Sequence, residues 1–308
     1  MILTVTLNPT IDRVYFLESY EAGKVMRVKN ATCSAGGKGI NVARVARILG
    51  CETSAMGYVG GYTGEFIKTE MESQGVKNLF TDIKGVTRTC VNISDKSGKS
   101  SELLEAGPEI TEEEKIKFIS DFSSVIRDYS IIVVSGSLPK GLTPDFYKEL
   151  VRIAKDNHKK IIVDTSGNAL KEILGSKPYM VKPNDDEVSE LMGKAVETNA
   201  DIKEALYYLK EMGVEIPFIS LGKNGAAALI EGKAFHFIPP AVKAVNTVGS
   251  GDSAVAGVSA GIDMGYDLIS AFKLGMAAGS VNTLFEKTGY VTKELVDSIF
   301  KQISVNEI

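Results

Sequence analysis

Tryptophan is absent from the 308-residue chain, and histidine and cysteine are scarce: His158, His236, Cys33, Cys51 and Cys90. Two isolated histidines and three scattered cysteines give no metal-ligand spacing, no C-x-x-C pair and no disulfide framework, which points to reduced thiols. Excess basic charge is also missing. Lys and Arg number 35 against 39 Asp and Glu, a net −4 that is not the footprint of a nucleic-acid binder. No apolar run approaches the roughly 18 residues of a membrane span, and Met1-Ile2-Leu3-Thr4 lacks a basic leader. The expectation is a cytoplasmic protein with neither a membrane nor a nucleic-acid partner.

Familiar catalytic signatures are missing as well. There is no G-x-x-x-x-G-K-[ST], and no G-x-G-x-x-G follows the first strand. Gly257-Val258-Ser259-Ala260-Gly261 matches the nucleophile-elbow pattern G-x-S-x-G. It falls inside a predicted helix, and both histidines precede it, whereas that fold places its histidine last. The match is chance.

What is present reads as a globular α/β chain, 44% hydrophobic and 24% charged, long enough to bury a large core. Short apolar runs predict strands at Ile2–Leu7, Ser54–Val59, Ile131–Val134, Ile161–Val163, Met180–Val181 and Ile216–Ser220. Helical patterns lie between them: Val42–Leu49 ended by Gly50, Gly64–Ser73, and a helix capped by Thr111 with Glu114 three residues on. Others cover Pro144–Asp156, Ala169–Leu174, Asp185–Met192 and Ala200–Met212. Ala226–Ile230 and Ala234–Ile238 predict a hairpin, and helices from about Gly251, Leu268 and Lys293 close the chain. Such alternation implies a parallel sheet covered on both faces. Two β-rich patches, about 11–34 and 87–105, lack intervening helices and read as a separate small projecting sheet. The second is interrupted by the polar turn Asp95-Lys96-Ser97-Gly98-Lys99.

The most informative stretch is Asn246-Thr247-Val248-Gly249-Ser250-Gly251-Asp252. Such a glycine turn lets backbone N–H groups converge at a helix N-terminus, which suits an anion such as phosphate. A carboxylate there repels phosphate, but it makes sense if Asp252 takes a proton from a hydroxyl that attacks the phosphate. Taken alone, the stretch fits a glycine-rich turn with a helix-capping Asp better. Four strand-end segments complement it: Asn8-Pro9-Thr10-Ile11-Asp12, Gly36-Gly37-Lys38-Gly39-Ile40-Asn41, Lys182-Pro183-Asn184-Asp185-Asp186-Glu187 and Ser220-Leu221-Gly222-Lys223-Asn224-Gly225. In a parallel sheet such loops share one edge, where ligands bind.

Together these motifs resemble the phosphofructokinase-B group of the ribokinase-like carbohydrate kinases, nearly end to end, from Thr6-Leu7-Asn8-Pro9 to Thr288-Gly289-Tyr290-Val291. Thr87-Arg88, Glu102-Leu103-Leu104-Glu105-Ala106-Gly107-Pro108 and Gly136-Ser137-Leu138-Pro139-Lys140-Gly141 are similar to its ketohexose-phosphate members. The resemblance implies one ribokinase-like domain over residues 1–308, a three-layer α/β/α sandwich of about nine strands with a β lid. It implies transfer from ATP, with Mg2+, to a ketohexose monophosphate, tagatose 6-phosphate first and fructose 1-phosphate as the alternative. A non-catalytic sugar-phosphate or nucleotide binder is the rival from another class.

By the same resemblance Asp252 is the base, and the N–H groups of Gly249, Ser250 and Gly251 stabilise the transferring phosphoryl. Asp12, Gly37, Lys38 and Asn41 hold the sugar, with Arg88 on its existing phosphate; Lys24 and Arg27 add lid charge or reach a neighbouring subunit. Lys182, Asn184, Ser220, Gly222, Gly225 and Asn282 attend the nucleotide. Asn184 and Glu187 position magnesium through water. The family usually has Asp where this chain has Asn246, so no tightly bound monovalent cation is expected. Outer apolar lid residues such as Val14 and Phe16 would be aggregation-prone if exposed, and the resemblance implies a homodimer formed through the lid.

Overall fold

The computed structural model describes residues 1–96 and 100–308, so the centre of the polar turn expected at 95–99 lies outside the described residues. The elements in chain order are β1 (Ile2–Thr6), β2 (Thr10–Leu17), β3 (Asn30–Gly36), α1 (Lys38–Ile48), β4 (Thr53–Val59) and α2 (Gly61–Ser73). Then come β5 (Lys77–Asn78), β6 (Thr81–Asp82), β7 (Arg88–Asp95), β8 (Ser100–Leu104), α3 (Glu112–Val125), β9 (Ile131–Ser135) and α4 (Pro144–Asp156). They are followed by β10 (Lys160–Asp164), α5 (Gly167–Leu174), β11 (Met180–Val181), α6 (Asp185–Met192), α7 (Asn199–Glu211) and β12 (Ile216–Ser220). The chain ends with β13 (Ala226–Ile230), β14 (Lys233–Ile238), α8 (Ser250–Asp263), α9 (Leu268–Asn282), α10 (Lys293–Phe300) and β15 (Ser304–Glu307).

The large sheet runs β15-β14-β13-β12-β11-β10-β9-β1-β4-β5, with β6 also on β4, and is parallel from β5 to β12. Its central strands are apolar on both faces because helices cover both, as a parallel sheet requires. Alternate residues of one strand enter different cores. Leu3, Val5, Ile132, Val134, Ile161 and Val163 pack with Phe118, Leu150 and Leu206 on one side. Ile2, Ile131, Val133 and Ile162 pack with Val42, Val255 and Phe272 on the other. The result is the three-layer α/β/α sandwich expected from the sequence. With its two-residue strands the sheet counts eleven rather than about nine.

Helices α8 and α9 approach unusually closely. A Cβ on Gly257 would lie 2.6 Å from the Leu274 carbonyl oxygen, and one on Gly261 would lie 2.7 Å from Ala271 Cα. Ser259 between them is fully buried and donates to the Val255 carbonyl at 2.7 Å. The G-x-S-x-G match is therefore a helix-packing seam, not a nucleophile.

The second sheet has the order β3-β2-β7-β8 and comes from the two patches expected to form a lid. Strand β2 runs parallel to β7, from Thr10 opposite Arg88 to Leu17 opposite Asp95, and antiparallel to β3.

Candidate active site

In a parallel sheet the strand carboxyl ends converge on one edge. Here β9 delivers Ser135, its neighbour β10 delivers Asp164 directly opposite it, and β11 leads into Lys182. Asp164 is buried, and two ammonium groups flank its Oδ1: Lys182 Nζ at 3.4 Å and Lys38 Nζ at 3.8 Å. Its Oδ2 has no hydrogen-bond partner among the described residues. A buried carboxylate oxygen needs water or a ligand as partner, and Asp164 with its two lysines forms the floor of the candidate site.

Two helices open on this floor. Gly37 begins α1 with φ 114° and Gly249 begins α8 with φ 80°, conformations that favour glycine, and neither N-terminus has a side-chain cap. By contrast α3, α6 and α7 each carry a reciprocal capping box. Uncapped helix starts leave N–H groups free for an anion. At α8 this is true of two of the three expected donors. The N–H groups of Gly249 and Gly251 have no acceptor among the described residues, whereas Ser250 N–H already donates to the Thr247 carbonyl at 3.2 Å. Lys182 lies beneath the turn, where a Cβ added to Gly251 would come within 3.3 Å of its Nζ.

Asp252 sits in the first turn of α8, buried, and accepts a hydrogen bond from Asn41 Nδ2 at 2.8 Å. Its carboxyl is pushed up to about 6. Burial is the main cause, with the negative charge of Asp164 adding to it; the Asn41 bond and the charges of Lys38 and Lys182 pull the other way. A carboxyl near neutrality beside free backbone donors is matched to general-base work on a hydroxyl. The sequence places residues 36–41 and 252 far apart, and the fold joins them.

Across the cleft, Asp12 on β2 lies against Gly36, where an added Cβ would meet Asp12 Oδ2 at 2.0 Å. Burial lifts its carboxyl to about 6 against the opposing charges of Arg88 and Arg44, while Glu102 and Asp252 add to the rise. Arg88, at the start of β7, donates through Nη1 to the Glu105 carbonyl at 2.9 Å and through Nη2 to the Asn8 carbonyl at 3.0 Å. Its Nε lacks a partner among the described residues. With Gly85, Gly107 and Lys140 it lines a cavity of about 490 Å³ where the lid meets the main sheet.

On the far side, Asn184 and Glu187 form the capping box of α6. Glu187 N–H donates to Asn184 Oδ1 at 2.7 Å, and Asn184 N–H donates to Glu187 Oε2 at 2.8 Å. Ser220 bridges to Asn184. Gly222 and Gly225 follow in a turn with φ 56° and 92°, and a Cβ at Gly225 would fall 2.0 Å from the Phe237 carbonyl oxygen. Asn282 is tied into the scaffold. It is fully buried; its Oδ1 accepts from Ser253 Oγ and the N–H groups of Gly289 and Tyr290, and its Nδ2 donates to the Val248 carbonyl. Its oxygen is saturated and one Nδ2 hydrogen is committed, so these bonds give the side chain a structural role beside the nucleotide role expected of it. It staples the glycine turn to the 288–290 loop.

Sequence reasoning passed over two groups. Asp164 left only a weak signal, an acid ending the apolar run Ile161-Ile162-Val163. Arg44 left less, since a charged residue inside a helix usually reads as surface, yet it is buried.

A glycine cradle, a near-neutral carboxyl and flanking lysines at the carboxyl edge of a lidded α/β/α sandwich define a phosphotransferase acting on an alcohol. The chain belongs to the pfkB family carbohydrate kinases, whose family model matches residues 5–294. It is 40% identical over 313 residues, covering all of both chains, to the tagatose-6-phosphate kinase of Staphylococcus epidermidis. Phosphofructokinase-2 from Escherichia coli, solved with potassium, superposes with a TM-score of 0.91 at 29% identity, covering 98% of each chain. A Thermotoga maritima protein described as a possible 1-phosphofructokinase gives a TM-score of 0.86 at 25% identity, covering 100% of this chain and 99% of its own.

Proposed function

We propose that this kinase phosphorylates tagatose 6-phosphate to the 1,6-bisphosphate with ATP, using residues 1–308 as one catalytic unit with a lid. The observation that carries the chemistry is Asp252: a buried carboxyl, raised to about 6, beside the open N–H groups of Gly249 and Gly251. In this reading the sugar hydroxyl attacks in line, its proton passes to Asp252, and those N–H groups with Lys182 meet the growing negative charge. Asp12, Gly37, Lys38 and Asn41 hold the sugar. The choice of sugar leans on the Staphylococcus epidermidis relative, similar over its whole length.

Magnesium would arrive with the nucleotide phosphates and supply charge neutralisation. No cluster of three or more ligating side chains exists among the described residues, and Glu187 has one oxygen committed to Asn184. That donor set suits a hydrated ion touched through water by Asn184 and Glu187, as magnesium favours. Ser220, Gly222 and Gly225 would line the nucleotide.

ADP release with MgATP and tagatose 6-phosphate, fructose 1-phosphate or fructose 6-phosphate tests the proposal. Tagatose 6-phosphate should give the highest kcat/KM. Preference for fructose 1-phosphate would support a second reading, 1-phosphofructokinase, which the Thermotoga neighbour favours. Turnover of none would return the chain to a binding role. Arg88→Ala should raise the sugar-phosphate KM roughly 10- to 100-fold while ATP KM moves less than twofold, because a charge-assisted clamp is lost from one substrate alone. An unchanged sugar KM removes Arg88 from that role.

The lid carries apolar side chains in solvent: Phe16, Tyr20, Val28, Leu103 and Leu104, with Val25 95% exposed. Strand β8 is exposed along its whole length, an edge that a second copy would cover. A lid-to-lid dimer follows, and Leu103→Lys with Leu104→Lys should convert it to monomer in light scattering. A native chain already monomeric at assay concentration would rule it out.

A further inference from the structure

Asn41 faces Asp252 with an amide that could point either way. As it stands Nδ2 donates to the carboxylate; rotated by half a turn, it would set a carbonyl oxygen against the same charge. The orientation is fixed from behind. Arg44, one helical turn on, donates through Nη1 to Asn41 Oδ1 at 3.1 Å, so only the oxygen can occupy that side. A Cβ on Gly289 would come within 2.7 Å of the same oxygen, so a side chain at 289 would crowd the amide.

Arg44 is itself held from several directions. Its Nη2 donates to the Ala35 carbonyl at 2.7 Å and to Glu70 Oε1 at 3.4 Å, and its Nε to Gln74 Oε1 at 2.9 Å. Glu70 is fastened in turn by Ala35 N–H on Oε2 and Gln74 Nε2 on Oε1. The Arg44 side chain is 3% exposed. Burying such a pair gives little net stability over an apolar replacement, so stability alone is a poor reason for this arrangement.

We propose that Arg44 is a positioning residue for phosphoryl transfer: by locking the amide of Asn41, it keeps a donor rather than an acceptor against Asp252 and so favours the base in its charged form. This rests on the reading of Asp252 as the base. The charged groups facing Asp252 are Asp164 from β10, Lys38 from α1, Lys182 after β11 and Asp12 from β2. Those facing Arg44 are Glu70 from α2 and Asp12 from β2. Asn41 is the neutral member, and the sign of its effect depends on which end it presents.

The test is the pH profile of kcat at saturating substrates. Arg44→Lys keeps a charge beside Glu70 but cannot reach Asn41, Ala35 and Gln74 together. Its acid limb should move up by about half to one pH unit, a roughly two- to fivefold loss at pH 6 with kcat recovered above pH 8. ATP KM should stay within twofold. In an Asn41→Ala background the same substitution should shift the limb no further. The double variant Arg44→Met with Glu70→Gln, which leaves no unpaired buried charge, should reproduce the shift if Arg44→Lys does not fold. An acid limb superposing on the wild type, or an equal shift without Asn41, overturns the proposal and leaves Asp252 as base untouched. Full activity of Asp252→Asn overturns both.

Discussion

Asp252→Asn is expected to lower kcat by roughly 10²–10⁴ with little change in either KM, the mark of a lost general base. The amide is isosteric and its oxygen can still accept from Asn41, so the fold should survive. The same variant should also be more stable at neutral pH. The carboxyl of Asp252 is raised in the fold from 3.8 to about 6, so between those values the folded chain holds a proton that the unfolded chain has lost. Stability therefore falls as pH rises through that window, and above it the full cost is present. At about 1.4 kcal/mol per unit, removing the charge recovers on the order of 2–3 kcal/mol at pH 7, a net figure in which the attraction of Lys38 and Lys182 is already included. Thermal unfolding from pH 4 to 8 checks it: the gain of the variant over wild type should grow with pH. A variant with wild-type kcat, or with stability below wild type at pH 7, would show that the buried carboxyl has been misjudged.

Gly36→Ala should cost recognition rather than chemistry. The new methyl would stand 2.0 Å from Asp12 Oδ2 and 2.3 Å from its Cγ, so the carboxylate must leave its place. Losing charge-assisted bonds to a sugar hydroxyl predicts a sugar-phosphate KM roughly 10- to 100-fold higher, with ATP KM little affected. Initial rates against each substrate separate the two. Equal increases in both KM values would mean that the turn has collapsed. An unchanged sugar KM would remove Asp12 from the sugar site.

Much of the fold was legible because its central strands are continuous apolar runs and several of its helices, α3 among them, carry caps. Strand β15 was not, since Ser304–Glu307 holds a single apolar residue, Val305, and forms only when β14 offers an edge. Two-residue strands such as β5 leave no periodicity to find. In the site, the glycine turns around Lys38 and Asp252 announced themselves because tight turns need a particular residue type. Asp164 and Arg44 act only by meeting partners from other elements, Lys38 and Lys182 in one case, Asn41 and Glu70 in the other. The structural bonds of Asn282 were hidden for the same reason: a lone amide at a helix end gives no sign of the loop it holds until that loop is in view.

Only Leu7, Asn8 and Pro9 separate β1 from β2. Asp12 lies within about 10 Å of that short joint along an extended strand, whereas Leu17 lies roughly 25 Å out. Any swing of the small sheet would sweep its far end widely and leave the carboxylate almost stationary. The acceptor could then be gripped at every lid angle, with enclosure of the reacting atoms left as a separate, later motion.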